Sequence, residues 1–209
     1  MAKLRVGTLE GTHVVLERLA SRHVDEIIEA GSGDRSFYAY TQVPDGREET
    51  EGYVSYLLND AENGRAAPFV QRRIVAGERA PSELVGCTRF MNPYWWLGRT
   101  DPDEVEIGGT WLSPSAQRSP VNTEAKILML THAFDEWNVQ RVAICTDAVN
   151  EQSRRAIERI GARFEGELRR HRRSLQEGHE SILRDSAMYS ITIDEWPAVR
   201  SRLESLVAR

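Results

Sequence analysis

Two polar residues in otherwise apolar segments are the best candidates for chemistry in this chain. Glu106 lies in VEIGGTWL (105–112), where alternating residues predict a strand, and Ser153 lies in the first turn of a helix predicted to start at Asn150. A strand carboxylate can accept a proton directly or through a water, and a hydroxyl can donate a hydrogen bond to a developing anion. An ion pair with a cross-strand arginine is an equal alternative for Glu106, and helix initiation alone would explain Asn150 and Ser153.

A further candidate is an anion site at the start of an apolar helix that follows the breaker Ser113-Pro114. Ser119 could cap this helix with Pro120 at its first position, or Asn122 could cap a helix that begins at Thr123. Either start leaves free amides and the positive end of the helix dipole facing the preceding loop, which suits a pyrophosphate. The alternative is a well-capped helix that binds nothing.

These candidates depend on a predicted order of strand, loop, helix, strand and helix between Val105 and Leu168. The apolar helix is predicted to be buried because apolar residues occupy two of its sides, and Glu106 and Thr110 are predicted to share one face of their strand. The remaining elements are predicted as helices at 21–30, 48–63 and 195–207, and strands at 69–76, 84–91, 141–147 and 186–193, with a turn at Gly77–Pro81.

The spacing of these motifs resembles the GNAT superfamily of acetyl-CoA-dependent N-acetyltransferases, and within it the branch of ribosomal-protein N-terminal acetyltransferases. The resemblance extends upstream to the strand and helix of Leu9–Ile27 and implies a single domain over 1–209. The implied fold is α/β (α+β), with one mixed, mostly antiparallel sheet flanked by helices. The motifs that carry it are Glu106-Ile107-Gly108, Trp111-Leu112, Pro114, Gln117 to Asn122, Thr123-Glu124-Ala125, Asn150-x-x-Ser153, Gly161-Ala162, Glu165-Gly166 and Leu168-Arg169.

The resemblance implies transfer of an acetyl group from acetyl-CoA, as co-substrate, to a primary amine on a peptide N-terminus or a small molecule. The amine would attack directly in a ternary complex, since the chain has no activated Cys or Ser nucleophile motif. Glu106 would act on the amine, Ser153 on the thiolate, and no metal is implied. The coenzyme would be bound by Trp111, Leu112, Gln117, Arg118, Ser119, Val121, Asn122, Thr123, Asn150 and Ser153.

Three departures from the family pattern favour a rival interpretation, a non-catalytic acyl-CoA-binding or sensing module. Pro120 replaces the glycine of the loop and removes one amide donor, although Arg118 could compensate electrostatically. Ile157 occupies the position where many members have a tyrosine that protonates the departing thiolate. A second glutamate found in some members just after Glu165-Gly166 is absent.

Two aromatic clusters are candidates for the acceptor site. Phe37 and Tyr38 follow the first predicted helix, and Trp95 and Trp96 precede the strand of Glu106, positions that border the acceptor cleft in similar proteins. Consecutive aromatic residues in a loop indicate either a pocket or lid, or a homodimer contact. These alternatives remain open at the sequence level.

Composition excludes several other classes of protein. With 209 residues, 40% of them hydrophobic, the chain can form a full core, and its net charge of −5 argues against general nucleic-acid or membrane-surface binding. The arginine-rich run at 168–174 is expected to be a solvated strand and turn, with contact to a substrate carboxylate or coenzyme phosphate as the alternative and RNA binding as the weakest hypothesis. Cys87 and Cys145 are expected to be small core residues, and a cytoplasmic location is expected because neither a signal region nor a membrane span is evident.

Overall fold

The computed structural model describes residues 3–75, 83–176, 178–179 and 181–208. Its strands are β1 (Leu9–Glu10), β2 (Val14–Arg18), β3 (Ala66–Arg73), β4 (Glu83–Tyr94), β5 (Glu104–Leu112), β6 (Arg141–Asp147), β7 (Arg163–Arg173) and β8 (Leu183–Thr192). Its α-helices are α1 (Val24–Gly31), α2 (Gly46–Glu62), α3 (Val121–Thr131), α4 (Glu151–Arg159) and α5 (Trp196–Val207), and a π-helical turn, His132–Glu136, extends α3.

All the strands belong to one sheet in the order β1-β2-β3-β4-β5-β6-β8-β7. Neighbouring strands are antiparallel except for β5 and β6, which are parallel because α3 forms the crossover between them. The predicted mixed, mostly antiparallel sheet flanked by helices is therefore confirmed. The predicted turn at 77–81 lies outside the described residues. No helix in the described part of the chain is both long and apolar enough to cross a membrane.

Each face of the sheet has its own hydrophobic core. On one face, Ile107 of β5 and Val142 of β6 pack with residues of α3, α4 and α5, whereas on the other face Cys87 and Trp111 pack with α1 and α2. The apolar helix α3 is buried as predicted, with Ala125 and Met129 fully buried. The helices thus cover both faces of the central strands and exclude water from them.

A bulge in β5 reverses which face its side chains point to. Two residue steps along β4, from Cys87 to Arg89, oppose three along β5, from Trp111 back to Gly108, and Gly109 has a φ of 56°. Ile107 therefore packs in the α3 core and Trp111 in the α1–α2 core. In a regular strand these two residues, four positions apart, would share one face. The prediction that Glu106 and Thr110 share one face was wrong, because the extra residue lies between them.

The parallel pair β5 and β6 separates along its length. The two strands pair only from Glu104 with Arg141 to Glu106 with Ala143, and beyond this point β5 continues to Leu112 and β6 to Asp147 without pairing to each other. The facing edges of the diverging strands therefore present backbone N–H and C=O groups that the sheet ladder does not satisfy.

A buried carboxylate fixes the N-terminal hairpin to α3. Glu124 accepts hydrogen bonds from the backbone amides of Thr12, His13 and Val14, at 2.9, 2.6 and 2.9 Å. The hairpin can approach this closely because residue 11 is glycine, and a Cβ there would overlap Glu124 Oε2. The contact sets the position of the first turn of α3 relative to the sheet.

Candidate active site

A cavity of about 380 Å³ occupies the opening between β5 and β6 and has walls from both sides of the sheet. Because the strands separate there, the cavity connects the α3–α4 face with the side of the 40–42 segment that precedes α2. Glu106 and Thr110 both line it, from opposite faces of the bulged strand. Polar and apolar side chains line the cavity, among them Tyr40, Glu106, Thr110, Asn122, Lys126, Cys145, Ser153, Ile157 and Arg172.

Glu106 is buried in this cavity, at 5% exposure, and is held by an ion pair. Arg172 donates from Nη1 to Oε1 at 2.8 Å and from Nη2 to Oε2 at 2.7 Å, and Asn92 Nδ2 donates to Oε2 at 2.8 Å. Burial by itself would raise the pKa of Glu106, but the bonds from Arg172 and Asn92 outweigh it and lower the pKa below its usual range. Glu106 is therefore a charged group and a weak proton acceptor.

Arg172 reaches the cavity because of an irregularity in β7. Between the pairs Leu168 with Ser186 and Arg172 with Arg184, four residue steps along β7 oppose two along β8. Within this bulge Arg170 has a φ of 48°, and its amide donates to Asp185. The arginine-rich run was expected to be solvated, and most of it is exposed, but Arg172 is not. The expected cross-strand partner of Glu106 thus comes from β7 rather than from a strand adjacent to β5.

Cys145 lies on β6 and faces Glu106. Its Sγ donates to Oε1 of Glu106 at 3.4 Å, and it is part of the cavity wall, whereas the sequence predicted a core residue. Burial and the adjacent carboxylate raise the pKa of this thiol to about 12. Cys145 is therefore a neutral thiol at neutral pH, which does not suit it to nucleophilic attack.

The start of α3 lies nearer the first of the two predicted alternatives, but its N-cap residue is Pro120 rather than Ser119. The helix begins at Val121 after Pro120, which already has helical φ and ψ, and Val121 N donates to Ser119 Oγ at 3.4 Å. Arg118 is exposed and has a φ of 58°, so its backbone makes the turn into the helix. Gln117, Arg118 and Ser119 are not among the described residues that line the cavity.

Asn122 is the residue of this helix start that faces the cavity. It lies inside the helix rather than at its cap, so the alternative start at Thr123 was wrong. Its Oδ1 is buried and has no hydrogen-bond partner among the described residues, so this oxygen can accept a hydrogen bond from a group in the cavity. The first-turn amides of Asn122 and Thr123 lie beside it.

Other residues predicted to bind coenzyme lie in the protein interior. Trp111 is 4% exposed and packs edge-on against Tyr38 with ring centroids 6.1 Å apart. Val121 is buried in the α3 core, and Leu112 is partly buried against it. Thr123 is buried and its Oγ1 accepts from Arg159 at 3.1 Å. The side chains of Trp111 and Val121 therefore cannot contact a ligand. The backbone of β5 still faces the opening between β5 and β6.

The helix α4 presents Ser153 and Ile157 to the cavity. Asn150 caps this helix, because its Oδ1 accepts from the amide of Ser153 at 3.0 Å, and Gly161 ends it with a φ of 101°. The cap and the stop were both predicted from the sequence. Ser153 and Ile157 are one turn apart on the same side of the helix.

The predicted acceptor aromatics lie outside the cavity wall, as far as the described residues define it. Tyr38 is buried in the core, so it cannot form part of a pocket wall or a dimer contact, whereas Phe37 is 53% exposed. Trp95 donates from Nε1 to the carbonyl of Thr100 at 3.2 Å, and Trp96 is exposed and stacks on Tyr94. Tyr40, two residues after Tyr38 in the sequence, does line the cavity.

Sequence reasoning missed Lys126, the basic side chain of α3 that enters the cavity. It is 6% exposed, and its Nζ donates to Thr110 Oγ1 at 2.8 Å. Burial lowers its pKa to about 7. The available signal was a lysine inside an otherwise apolar helix. Among the residues that the structure describes, no cluster of His, Cys, Asp and Glu could hold a metal ion.

This sequence and its fold are similar to those of known proteins. Residues 13–163 match the family described as "Acetyltransferase (GNAT) domain". Over 66 residues the chain is 39% identical to "Putative ribosomal N-acetyltransferase YdaF" of Bacillus subtilis (strain 168), a match that covers 32% of this chain and 36% of that relative. The match therefore spans just over a third of that relative's length.

Solved structures of similar proteins match almost the whole chain. A GCN5-related N-acetyltransferase from Brucella melitensis is 28% identical with a TM-score of 0.80, and the match covers 98% of this chain and 87% of that one. A crystal structure from T. thermophilus, described as a "putative acetyltransferase", is 29% identical with a TM-score of 0.78, and the match covers 98% of both chains. Because the family match covers well over half of the chain and includes β5, α3, β6 and α4, the chain belongs to the GNAT acetyltransferase family.

Proposed function

We propose that this protein is an N-acetyltransferase that moves the acetyl group of acetyl-CoA to a primary amine by direct attack in a ternary complex. The observation that carries the proposal is the cavity at the separation of β5 and β6, which is lined by residues from both faces of the sheet. Two substrates can therefore approach one point from opposite sides. No covalent acyl-enzyme is needed for transfer between groups held in this way.

The α3–α4 side of the cavity fits the coenzyme. The first-turn amides of α3 and the dipole of that helix attract its pyrophosphate, with Arg118 adding charge. The unpaired edge of β5 beyond Glu106 can hydrogen-bond to the amide groups of its pantetheine arm, as a neighbouring strand would. Asn122 supplies a buried acceptor oxygen on the same side.

The opposite side, beside Tyr40 and Glu106, fits the amine. A primary amine is mostly an ammonium ion at neutral pH and must lose a proton before it can attack the thioester. Glu106 keeps its negative charge because Arg172 lowers its pKa. We infer that Glu106 attracts and orients the amine, while the proton passes to water, and that Ser153 hydrogen-bonds to the departing sulfur.

A protein N-terminus is the first acceptor to test, because the curated relative is named as a ribosomal N-acetyltransferase. Small amines form the second class. The peptide series should present different N-terminal residues on an otherwise constant sequence, and the small-molecule series should include amino acids, polyamines and aminoglycosides. Thiol release with one series and not the other would assign the acceptor class.

The test begins with titration calorimetry of acetyl-CoA against the protein and two charge-reversal variants. Arg118→Glu should weaken binding at least tenfold, since about 1.4 kcal/mol of favourable phosphate interaction becomes repulsive. Arg5→Glu, which changes the net charge equally on an exposed residue of the N-terminal segment, should leave the affinity within about twofold.

The second step measures release of free thiol in the presence of the amine series. Amine-dependent release, with an acetylated product detected by mass spectrometry, supports the proposal. No binding of acetyl-CoA would overturn it. If the protein bound acetyl-CoA but released no thiol with any amine, the alternative function, a non-catalytic acyl-CoA-binding module, would be favoured instead.

A further inference from the structure

The cavity contains a lysine that is unusual for this chain. The sequence has 25 arginines and only two lysines, Lys3 and Lys126. Lys3 is exposed near the N-terminus, whereas Lys126 lies on α3, one turn after Asn122, and extends into the cavity. An arginine stays protonated at all ordinary pH values, but a buried lysine can gain and lose its proton near neutrality. This position therefore differs chemically from the other cationic positions of the protein.

The contacts of Lys126 are uncharged. Its Nζ donates to Thr110 Oγ1 at 2.8 Å and to Thr88 Oγ1 at 3.4 Å, and these two hydroxyls are 2.8 Å from each other. Within the described residues no carboxylate pairs with it. An ammonium group has three N–H donors, so two threonines leave one donor for a group inside the cavity.

Lys126 lines the cavity together with the α4 residues Ser153 and Ile157. This is the side proposed above for the coenzyme, and Ile157 occupies the position where many family members have a phenolic acid. An apolar side chain there cannot protonate a thiolate. The direct transfer of an acetyl group nevertheless produces one, and the cavity must stabilise it.

We propose that Lys126 is the catalytic acid that protonates the sulfur atom of the departing coenzyme A. The assignment rests on the proposed acetyltransferase function and adds a residue to it. The amine nitrogen forms a bond to the acetyl carbon, and the carbon–sulfur bond breaks with its electron pair going to sulfur. A proton moves from Lys126 Nζ to that sulfur, which gives the free thiol and a neutral lysine. The proton lost by the amine passes to water, and water returns one to Lys126.

The surroundings of Lys126 suit this role. Burial without a carboxylate partner lowers its pKa to about 7, which matches an acid working near neutral pH. On α3 itself the carboxylate of Glu124 is turned to the N-terminal hairpin and bound by three amides. The other titratable or charged side chains that line the cavity are Tyr40, Arg89, Glu106, Cys145, Arg172, Arg173 and Arg184.

The first experiment measures Lys126 in the unaltered protein. Protein labelled with ¹³C and ¹⁵N in lysine should show two side-chain signals, and Lys3→Met identifies one of them by its loss. We expect the remaining signal, that of Lys126, to titrate with a midpoint near 7. A Lys126 signal that titrates near the ordinary value of 10.5 would overturn the proposal.

The second experiment compares the kinetics of Lys126→Met, Lys126→Arg and the control Lys3→Met. Loss of a general acid should lower kcat about a hundredfold or more in both Lys126 variants, with acetyl-CoA affinity by calorimetry within about threefold of the parent. The parent kcat should fall as pH rises through about 7, because Lys126 loses its proton, and this falling limb should be absent from Lys126→Met.

The variants separate the two proposals. Lys126→Arg keeps the positive charge but cannot release a proton, so a kcat restored by arginine would show that only charge is needed and would overturn the role as an acid. A kcat and pH profile of Lys126→Met equal to those of the parent would overturn it as well. Absence of thiol release by the parent protein would instead contradict the acetyltransferase function.

Discussion

Glu106 and Arg172 form a two-bonded ion pair inside the cavity, although β6 and β8 lie between their strands in the sheet. The pair bridges the separated halves of the sheet at the point where β5 and β6 stop pairing. Glu106 is buried whereas Arg172 is only partly buried, so the buried carboxylate depends on the guanidinium for its charge compensation. The first prediction tests this dependence.

Arg172→Met should destabilise the protein by about 3–5 kcal/mol, since it leaves the carboxylate of Glu106 buried without its partner. The double variant Glu106→Gln with Arg172→Met should recover most of the loss, because the uncompensated charge is gone. Urea unfolding at pH 7 measures both. If the free energy of unfolding of Arg172→Met lay within about 1 kcal/mol of the parent value, water would be reaching the Glu106 carboxylate in place of the arginine.

Lys126→Met should raise stability at and below neutral pH, since it removes a buried cation without a carboxylate partner. The folded-state pKa is about 7 and the unfolded value 10.5, so between these values the unfolded chain binds more protons. The free energy of unfolding of the parent should therefore rise with pH in this window, with a slope approaching about 1.4 kcal/mol per pH unit. Unfolding curves between pH 6 and about 10 for parent and variant check this. If the free energy of unfolding rose with pH at the same slope in the parent and in Lys126→Met, the protonated form of Lys126 would not be buried in the folded protein.

Gly11→Ala should destabilise the N-terminal hairpin. The new methyl group would overlap Glu124 Oε2, and this oxygen cannot move away without losing bonds to backbone amides. We expect a loss of about 1–3 kcal/mol, typical of overpacking. Gly7→Ala is the matched control, because nothing lies within 4 Å of a Cβ at residue 7. Thermal unfolding of the two variants should differ clearly, and similar melting temperatures would show that the hairpin is free to shift.

Gly109→Ala should weaken acetyl-CoA binding, because Gly109 lies in the bulge of β5 and lines the cavity. Its φ of 56° disfavours alanine, and a Cβ would lie 2.6 Å from Cζ of Arg89. Gly98→Ala has a similar strain, with a φ of 68°, but open space around the new methyl group. Calorimetry should show at least a tenfold loss of affinity, about 1.4 kcal/mol, for the first variant alone. Equal losses in both variants would attribute the effect to general backbone strain.

The sequence alone predicted the elements of this fold well, because local signals specify them. Alternation of apolar residues identified β5 and β6, an apolar pattern on two sides identified the buried α3, and Asn150 and Gly161 marked the ends of α4. These features depend on residues a few positions apart. The open edge of the sheet between β5 and β6 is not a local signal, since it depends on where two strands stop pairing.

Tertiary structure decided the chemistry of the site. An extra residue in β5 placed Trp111 and Ile107 in different cores, and an irregularity in β7 turned Arg172 towards Glu106. Lys126 became a candidate acid only because α3 buries it against two threonines. Periodicity assumes regular strands, whereas bulges change side-chain direction by a single residue. Burial, and with it the pKa of each group, is a property of the packed structure, so the residues were visible in the sequence but their roles were set by the fold.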